Sequence, residues 1–388
     1  MSLHPPRLST RARLVAPFHV MELLARAQQL ERAGHDVIHM EVGEPDFPTP
    51  RAVLAAAQAG LAGGQVRYTP AAGLPALREA IAQWYLQTFD AHVEPSRIIV
   101  TAGASGALML ALALLTEPGD GWLLTDPGYP CNRELVAAFN GRALPLHVDA
   151  TTGFQPTPAL LRAAWGEGTR GLIVASPANP TGAVLMPADL DALADTAAGL
   201  GAALIVDEIY QGLVYDAPAT TVLTRRQDCF VVNSFSKYFG MTGWRLGWLV
   251  VPPGVERQAE MLAQHYFIAA STPAQVAALA AFDDDNLREL EQRRQTLAER
   301  RNVLVSGLES LGLSVAARPS GAFYVWTDVS ARTDDSTRLA HRLLKEAGVA
   351  TTPGLDFVSR EAHRYLRIAY TTDVARIAQA LERISRVI

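Results

Sequence analysis

Lysine is nearly absent from this chain. Only Lys237 and Lys345 occur in 388 residues, although lysine and arginine together number 34. Any chemistry that needs a primary amine therefore has two candidates, because arginine cannot supply one. Cysteine is equally rare, with only Cys131 and Cys229. Two thiols make no disulfide scaffold; they read as small buried hydrophobes in a reducing, cytoplasmic setting. There is no CxxC or HExxH pattern, and the nine histidines do not cluster, so no metal site is expected. Positive charge is not in excess: the formal net charge is −5, which argues against nucleic acid as a partner. No apolar run reaches membrane-spanning length, so no membrane contact is expected. The opening MSLHPPRLSTRARLVAPF has arginines but no apolar core, unlike a secretory signal.

What is present describes a globular protein, 49% hydrophobic and 19% charged, long enough for two domains. Apolar spacing predicts a helix over 14–34, stopped by Gly34, then a short strand and a Gly/Pro-rich turn. Thr49 and Pro50 are suited to cap a helix over 52–64, and another helix begins near Gly73. Short apolar runs follow at 97–101, 122–126, 171–175, 202–208, 229–235 and 245–251, most of them separated by helical patterns. Such runs predict an α/β fold, a mostly parallel sheet with helices on both faces. A long charged helix over 283–312 leads to strands near 321–329 and 364–370 and helices over 336–348 and 373–388. The expected division is a large domain over 45–285 and a smaller α/β domain from 286–388 joined by residues 1–44.

Ligands on parallel sheets bind beyond the carboxyl ends of the strands. Five polar clusters fall there: 103–105, 126–129, 176–182, 207–210 and 234–237. Lys345 reads as a solvated cation in the last turn of a helix. Lys237 ends a buried strand between two serines, with Arg245 downstream. A phosphate-bearing pyridine aldehyde would find each of its needs here. Lys237 offers the amine. Asp207 offers an anion for the ring nitrogen, so that the ring can absorb electrons. Tyr210 and Asn179 can reach the ring oxygen, and Tyr129 can cover a ring face, although a turn tyrosine would look the same. Gly103, Ala104 and Ser105 open a helix and could cradle phosphate, a loop that is not diagnostic by itself. Ser234, Ser236 and Arg245 add hydroxyls and a charged fork. Arg367, in an otherwise apolar strand, suits a substrate carboxylate, and Gly43 allows close backbone approach. Arg364 reads as a surface cation. A base at Lys237 requires a depressed pKa, which burial and Arg245 would provide.

The motif SFSKYFGMTGWRLGW, which is highly specific, with SPANPTG and VDEIY in the right order and spacing and VGEPDFPTP before them, resembles the class I/II aminotransferases of the aspartate aminotransferase family. These are pyridoxal 5'-phosphate enzymes of fold type I, with a seven-stranded sheet, and the likeness runs over nearly the whole chain. It implies Lys237 as the Schiff-base lysine and proton shuttle, Asp207 on the pyridine nitrogen, and Tyr210 and Asn179 on the phenolic oxygen. Tyr129 would stack on the ring. Ser105, Ser234, Arg245 and the Ala104 backbone would hold the phosphate, and Arg367 and Gly43 the substrate carboxylate. It also implies a homodimer with shared active sites, in which Tyr68 reaches the neighbour's phosphate. The implied reaction moves the amino group of an L-amino acid to a 2-oxo acid such as 2-oxoglutarate or pyruvate. The entry segment APFHV carries apolar Phe18 and Val20, and Ser105 stands where some relatives have lysine. An uncharged or aromatic donor is therefore expected, with residues 266–272 at the same mouth. The same cofactor site could serve a C–S lyase. A ligand-sensing regulator on this fold is disfavoured, because only about forty residues precede VGEPDF and none form a basic helix-turn-helix.

Overall fold

A computed structural model describes residues 7–9, 12, 13, 15, 17–216 and 218–388. The first long helix, α1 (His19–Arg32), starts later than its apolar spacing predicts; positions 14 and 16 of the expected span lie outside the described residues. A two-residue strand, β1 (Ile38–His39), precedes α2 (Arg51–Ala62) and α3 (Pro75–Phe89). Thr49 does not cap α2. Pro50 occupies the cap with no side-chain acceptor, and Thr49 Oγ1 instead accepts from Trp244 Nε1 at 3.0 Å.

From Ile98 strand and helix alternate: β2 (Ile98–Thr101), α4 (Gly103–Leu115), β3 (Gly121–Asp126), α5 (Cys131–Ala138) and β4 (Arg142–His147). Then come α6 (Pro158–Ala164), β5 (Thr169–Ala175), α7 (Pro187–Gly199), β6 (Ala203–Asp207), β7 (Phe230–Ser234) and β8 (Gly247–Val250). They form one seven-stranded sheet in the order β2-β8-β7-β6-β5-β3-β4. Only β8 runs against its neighbours β2 and β7. The strand without a sequence signal is β4. It is an edge strand with exposed residues and Pro145, which an edge tolerates because one side of the backbone needs no ladder partner.

The central strands bury both faces, which is why they read as continuous apolar runs. Val100, Leu172, Val174, Val206 and Val231 enter one core with Leu77, Trp84 and Leu193 of the covering helices. Their alternates Ile99, Ile173, Ile205, Val232 and Leu249 enter the other, against α4. Each such side chain contributes about 1.5–3 kcal/mol of burial. The directions of β2, β3, β5, β6 and β7 agree, so their carboxyl ends share one edge. Antiparallel β8 brings its opposite end, preceded by Arg245, to that same edge.

After β8 come α8 (Glu256–Phe267), α9 (Thr272–Leu279) and the 27-residue α10 (Asp284–Ser310). The chain closes with β9 (Ser314–Ala317), β10 (Tyr324–Asp328), α11 (Ser336–Arg342), β11 (Val349–Ala350), β12 (Thr352–Pro353), β13 (Tyr365–Ala369) and α12 (Val374–Ser385). The order β12-β13-β10-β9 makes an antiparallel sheet, and β1 pairs in parallel with β11. Leu23 and Ala27 of α1 pack with Val37, Leu344 and Ala350, so the two ends of the chain share a core. Lys345 is exposed, as its place in the helical pattern predicts. Among the described residues no helix is long and apolar enough to cross a membrane.

Candidate active site

The backbone that carries Lys237 is fixed by aromatic packing. Phe235 and Phe239, on either side, are at most 1% exposed and lie 5.0 and 6.3 Å from the Trp248 ring. Phe282 packs 5.7 Å from Phe235. Edge-to-face pairs of this kind add about 0.5–1.5 kcal/mol each beyond their burial. The Lys237 side chain lines a cavity of about 240 Å³ on the carboxyl edge of the sheet. Its Nζ donates to the carbonyl oxygen of Gly43 at 2.7 Å. Burial pushes its pKa down to about 8; Glu44 opposes this, while Arg367 and Arg245 add to it.

Asp207, at the end of β6, lines the same cavity. One carboxylate oxygen accepts from the Ile209 N–H at 3.0 Å. Burial raises its pKa to about 6, so it remains largely ionised at neutral pH. A cation placed opposite would lower it again. Tyr210 and Tyr324 share a hydroxyl–hydroxyl bond of 3.0 Å, and both line the cavity. Tyr129 is half-buried on the same wall, its phenol pushed up chiefly by burial.

At one end stand Ala104, Ser105, Ser236 and Arg245. Arg245 has φ +52°, a left-handed conformation unusual for a side chain of this size. It follows a short helical turn, Thr242–Trp244, and Arg245 Nη1 donates to the Thr242 carbonyl at 3.1 Å. A Cβ on Gly103 would lie 2.6 Å from Arg245 Nη2, so glycine there admits the guanidinium.

At the other end Arg367 is 3% exposed. Its Nη1 donates to Asn179 Oδ1 at 3.0 Å and its Nη2 to the Glu41 carbonyl. The guanidinium lies over the rings of Tyr324 and Phe357, 4.2 and 4.6 Å from their centroids. Phe18 and Val20 form the mouth, joined by Met21 of α1.

Other expected residues stand apart from the cavity or face it differently. Ser234 does not line the cavity; its hydroxyl donates to the Leu246 carbonyl just before β8 and lies 2.9 Å from Ser236 Oγ, from which it can accept. Gly103 is also behind the wall, its role being the room it leaves Arg245. Tyr68, expected to reach a neighbour's site, is 86% exposed and apart from this chain's own cavity. Residues 266–272 do not line it either; Tyr266 and Ile268 are surface side chains. Gly43 presents its carbonyl, not its N–H, to Lys237. Cys131 is a wall residue of the cavity, while Cys229 is buried as expected. Arg364 is the surface cation expected, paired with Asp328 at 2.7 Å and Glu361 at 2.9 Å. Sequence reasoning missed Tyr324 and Phe357. Tyr324 lies in a strand whose apolar pattern carries no sign of a ligand-facing hydroxyl.

The model of the family described as "Aminotransferase class I and II" matches residues 35–384. The chain is 38% identical to the valine–pyruvate aminotransferase of Mycobacterium tuberculosis, covering 95% of this chain and 96% of that one. It is 37% identical to the aspartate/prephenate aminotransferase of Thermus thermophilus, with 98% of each covered. A crystal structure of an aminotransferase from Mycobacterium tuberculosis superimposes with a TM-score of 0.95 at 38% identity, covering 98% of this chain and 99% of that chain.

Proposed function

The chain belongs to the class I and II aminotransferase family, and on that premise we propose that it transfers the amino group of an L-amino acid to a 2-oxo acid, with pyridoxal 5'-phosphate as cofactor. The observation that carries this reading is one cavity lined by a half-buried amine, Lys237, a half-buried carboxylate, Asp207, and a buried arginine, Arg367. The residues fit the cofactor. Asp207 lines the cavity with only a backbone N–H on its carboxylate among the described residues, as a partner for a protonated ring nitrogen should. Arg245, Ser105, Ser236 and the Ala104 N–H suit a phosphate at the start of α4. Pyridoxal phosphate, when bound, supplies an aldehyde that condenses with amines and a ring that takes up electrons from Cα.

The protein's part is positioning and proton transfer. Arg367 holds the substrate carboxylate with its planar fork, itself oriented by Asn179 and the Glu41 carbonyl. Tyr129 and the apolar sheet floor of Ile173, Ala175 and Val232 would flank the cofactor ring. Lys237, with its amine free, would remove the substrate Cα proton as a general base and return a proton as a general acid. Its lowered pKa leaves part of the population neutral near pH 7.5. Two half-reactions of opposite direction give the ping-pong cycle.

The mouth formed by Phe18, Val20 and Met21 supports an uncharged or aromatic donor, and 2-oxoglutarate or pyruvate as acceptor. The relative named as a valine–pyruvate aminotransferase supports the same choice. A homodimer with shared sites fits the exposed apolar patch of Leu61, Val66, Tyr68 and Ile268. Thr272 Oγ1 donates to the Arg67 carbonyl and joins the two segments of that patch. Tyr68 would reach the neighbour's phosphate from it. The shared core of α1 with residues 344–350 supports a smaller domain of 1–44 and 286–388 against 45–285. Two free thiols support a cytoplasmic setting.

A donor panel tests the reading. Protein loaded with the cofactor is given valine, phenylalanine, alanine or aspartate singly, and cofactor absorption is followed. Valine and phenylalanine should convert the cofactor faster than aspartate, and pyruvate or 2-oxoglutarate should reverse the change. Ammonia released without an acceptor would turn the assignment to a lyase. Full activity in Lys237→Ala would sink both.

A further inference from the structure

The mouth of the cavity depends on a carboxylate far from it in sequence. Helix α1 has Phe18 at its N-cap, a residue with no side-chain acceptor for the free N–H groups of the first turn. Asp356 supplies the acceptors instead. Its Oδ1 accepts from the His19 N–H at 3.1 Å and its Oδ2 from the Val20 N–H at 2.9 Å, across more than 330 residues of chain. The carboxylate is 2% exposed, and the positive end of the helix favours an anion there. Both donors lie at the mouth, because Phe18, Val20 and Met21 line the cavity.

The residues after Asp356 are tied to other walls of the same site. The Phe357 ring lies 4.6 Å from the Arg367 guanidinium. The Phe357 carbonyl accepts from the Gly128 N–H at 2.9 Å, next to Tyr129. The Ser359 N–H donates to Asp126 Oδ1 at 2.8 Å, and His147 Nδ1 lies 2.8 Å from Asp126 Oδ2. Residues 356–359 thus set the mouth, Arg367 and the Tyr129 loop in one register.

We infer that Asp356 is a positioning residue that holds the apolar wall of Phe18, Val20 and Met21 at a fixed distance from Arg367, and so selects substrates by side-chain size. The inference rests on the reading of Arg367 as the carboxylate holder. A ligand with a large apolar side chain spans both features. A ligand with no side chain meets only Arg367. Loss of the double cap leaves the first turn of α1 to fray, and only the larger ligand should notice.

The test uses the cofactor-loaded protein and two inert monocarboxylates, 3-phenylpropionate and acetate, whose Kd values are read from cofactor absorption. In Asp356→Ala the Kd of 3-phenylpropionate should rise about tenfold, the weight of roughly 1.4 kcal/mol, while that of acetate stays within about twofold. Asp356→Asn keeps one oxygen acceptor and should fall between, and it covers the case in which the alanine variant folds poorly. Hydrogen exchange over residues 19–23 should quicken in the same order. Equal weakening of both ligands, or no change in either, overturns the inference alone. Wild-type protein that binds neither carboxylate overturns the reading of Arg367 and the inference together.

Discussion

Gly43 and Tyr324 touch without room for a methyl group: a Cβ at Gly43 would lie 1.8 Å from Tyr324 Oη. Tyr324 in turn bonds Tyr210 at 3.0 Å and supports Arg367 from below, and the Gly43 carbonyl receives Lys237. Gly43→Ala therefore forces Tyr324 away from two partners or the Gly43 loop away from Lys237. Overpacking of this kind costs about 1–3 kcal/mol. The expected outcome is a fall in kcat/KM of tenfold or more with a smaller drop in Tm. Steady-state kinetics beside a thermal melt check it. Unchanged kinetics would show that the contact is slack.

Lys237 must be neutral to accept a proton, and its pKa near 8 places the rise of the rate in the physiological range. The rate of the amino-donor half-reaction should climb with pH and level off above about pH 8. Glu44 favours the ammonium, so Glu44→Gln should move the climb to lower pH. Arg245 disfavours it, so Arg245→Gln should move it higher. Stopped-flow pH profiles of the three proteins distinguish the signs. Shifts in one direction for both variants would rule out a charge effect on Lys237.

The parts of the site that could be read in sequence are those delivered by strand ends. Lys237, Asp207 and Asn179 follow buried apolar runs, and burial on both faces marks such strands even without an alignment. Arg245 enters just before β8, and Arg367 stands out as a charge inside an apolar strand. What escaped were contacts made by long-range packing. Tyr324 meets Tyr210 across 114 residues, and Asp356 meets Val20 across 336. No local pattern encodes such a meeting. Ser234 illustrates the same limit: position at a strand end does not reveal that its hydroxyl bonds the Leu246 carbonyl just before the adjoining strand. β4 escaped because an exposed edge strand lacks the apolar alternation that identifies its neighbours.

Arg367→Lys keeps the charge and loses the planar fork. The guanidinium now donates to Asn179 and the Glu41 carbonyl while facing the cavity, and a single ammonium cannot hold those bonds and a carboxylate together. Loss of a hydrogen bond to a charged group costs about 1.5–3 kcal/mol, roughly ten- to hundredfold. KM should rise by that factor for amino donor and oxo-acid acceptor alike, since both carry the same carboxylate. A rise for one substrate only would place Arg367 at the distal end of that substrate.

Glu208 predicts how stability varies with pH. It is fully buried beside Asp207; Oε1 accepts from the Val222 N–H at 2.9 Å and from the Thr221 hydroxyl at 3.0 Å, and Oε2 has no partner among the described residues. Burial raises its pKa from 4.5 to about 8, so the folded protein holds it as a neutral acid where the unfolded chain would ionise. The folded state therefore binds the extra proton between about pH 4.5 and 8, and stability contributed by this group is lost as pH rises through that window. Glu208→Gln has the same shape, keeps an oxygen for the Val222 N–H and carries no charge to bury. Its Tm should drop less than that of wild-type protein between pH 6 and pH 9, the difference between the two curves widening up to about pH 8 and then levelling off. Subtraction removes every other titrating group common to both. Parallel curves across that range would mean that Glu208 is ionised in the fold and that a cation, not burial, governs it.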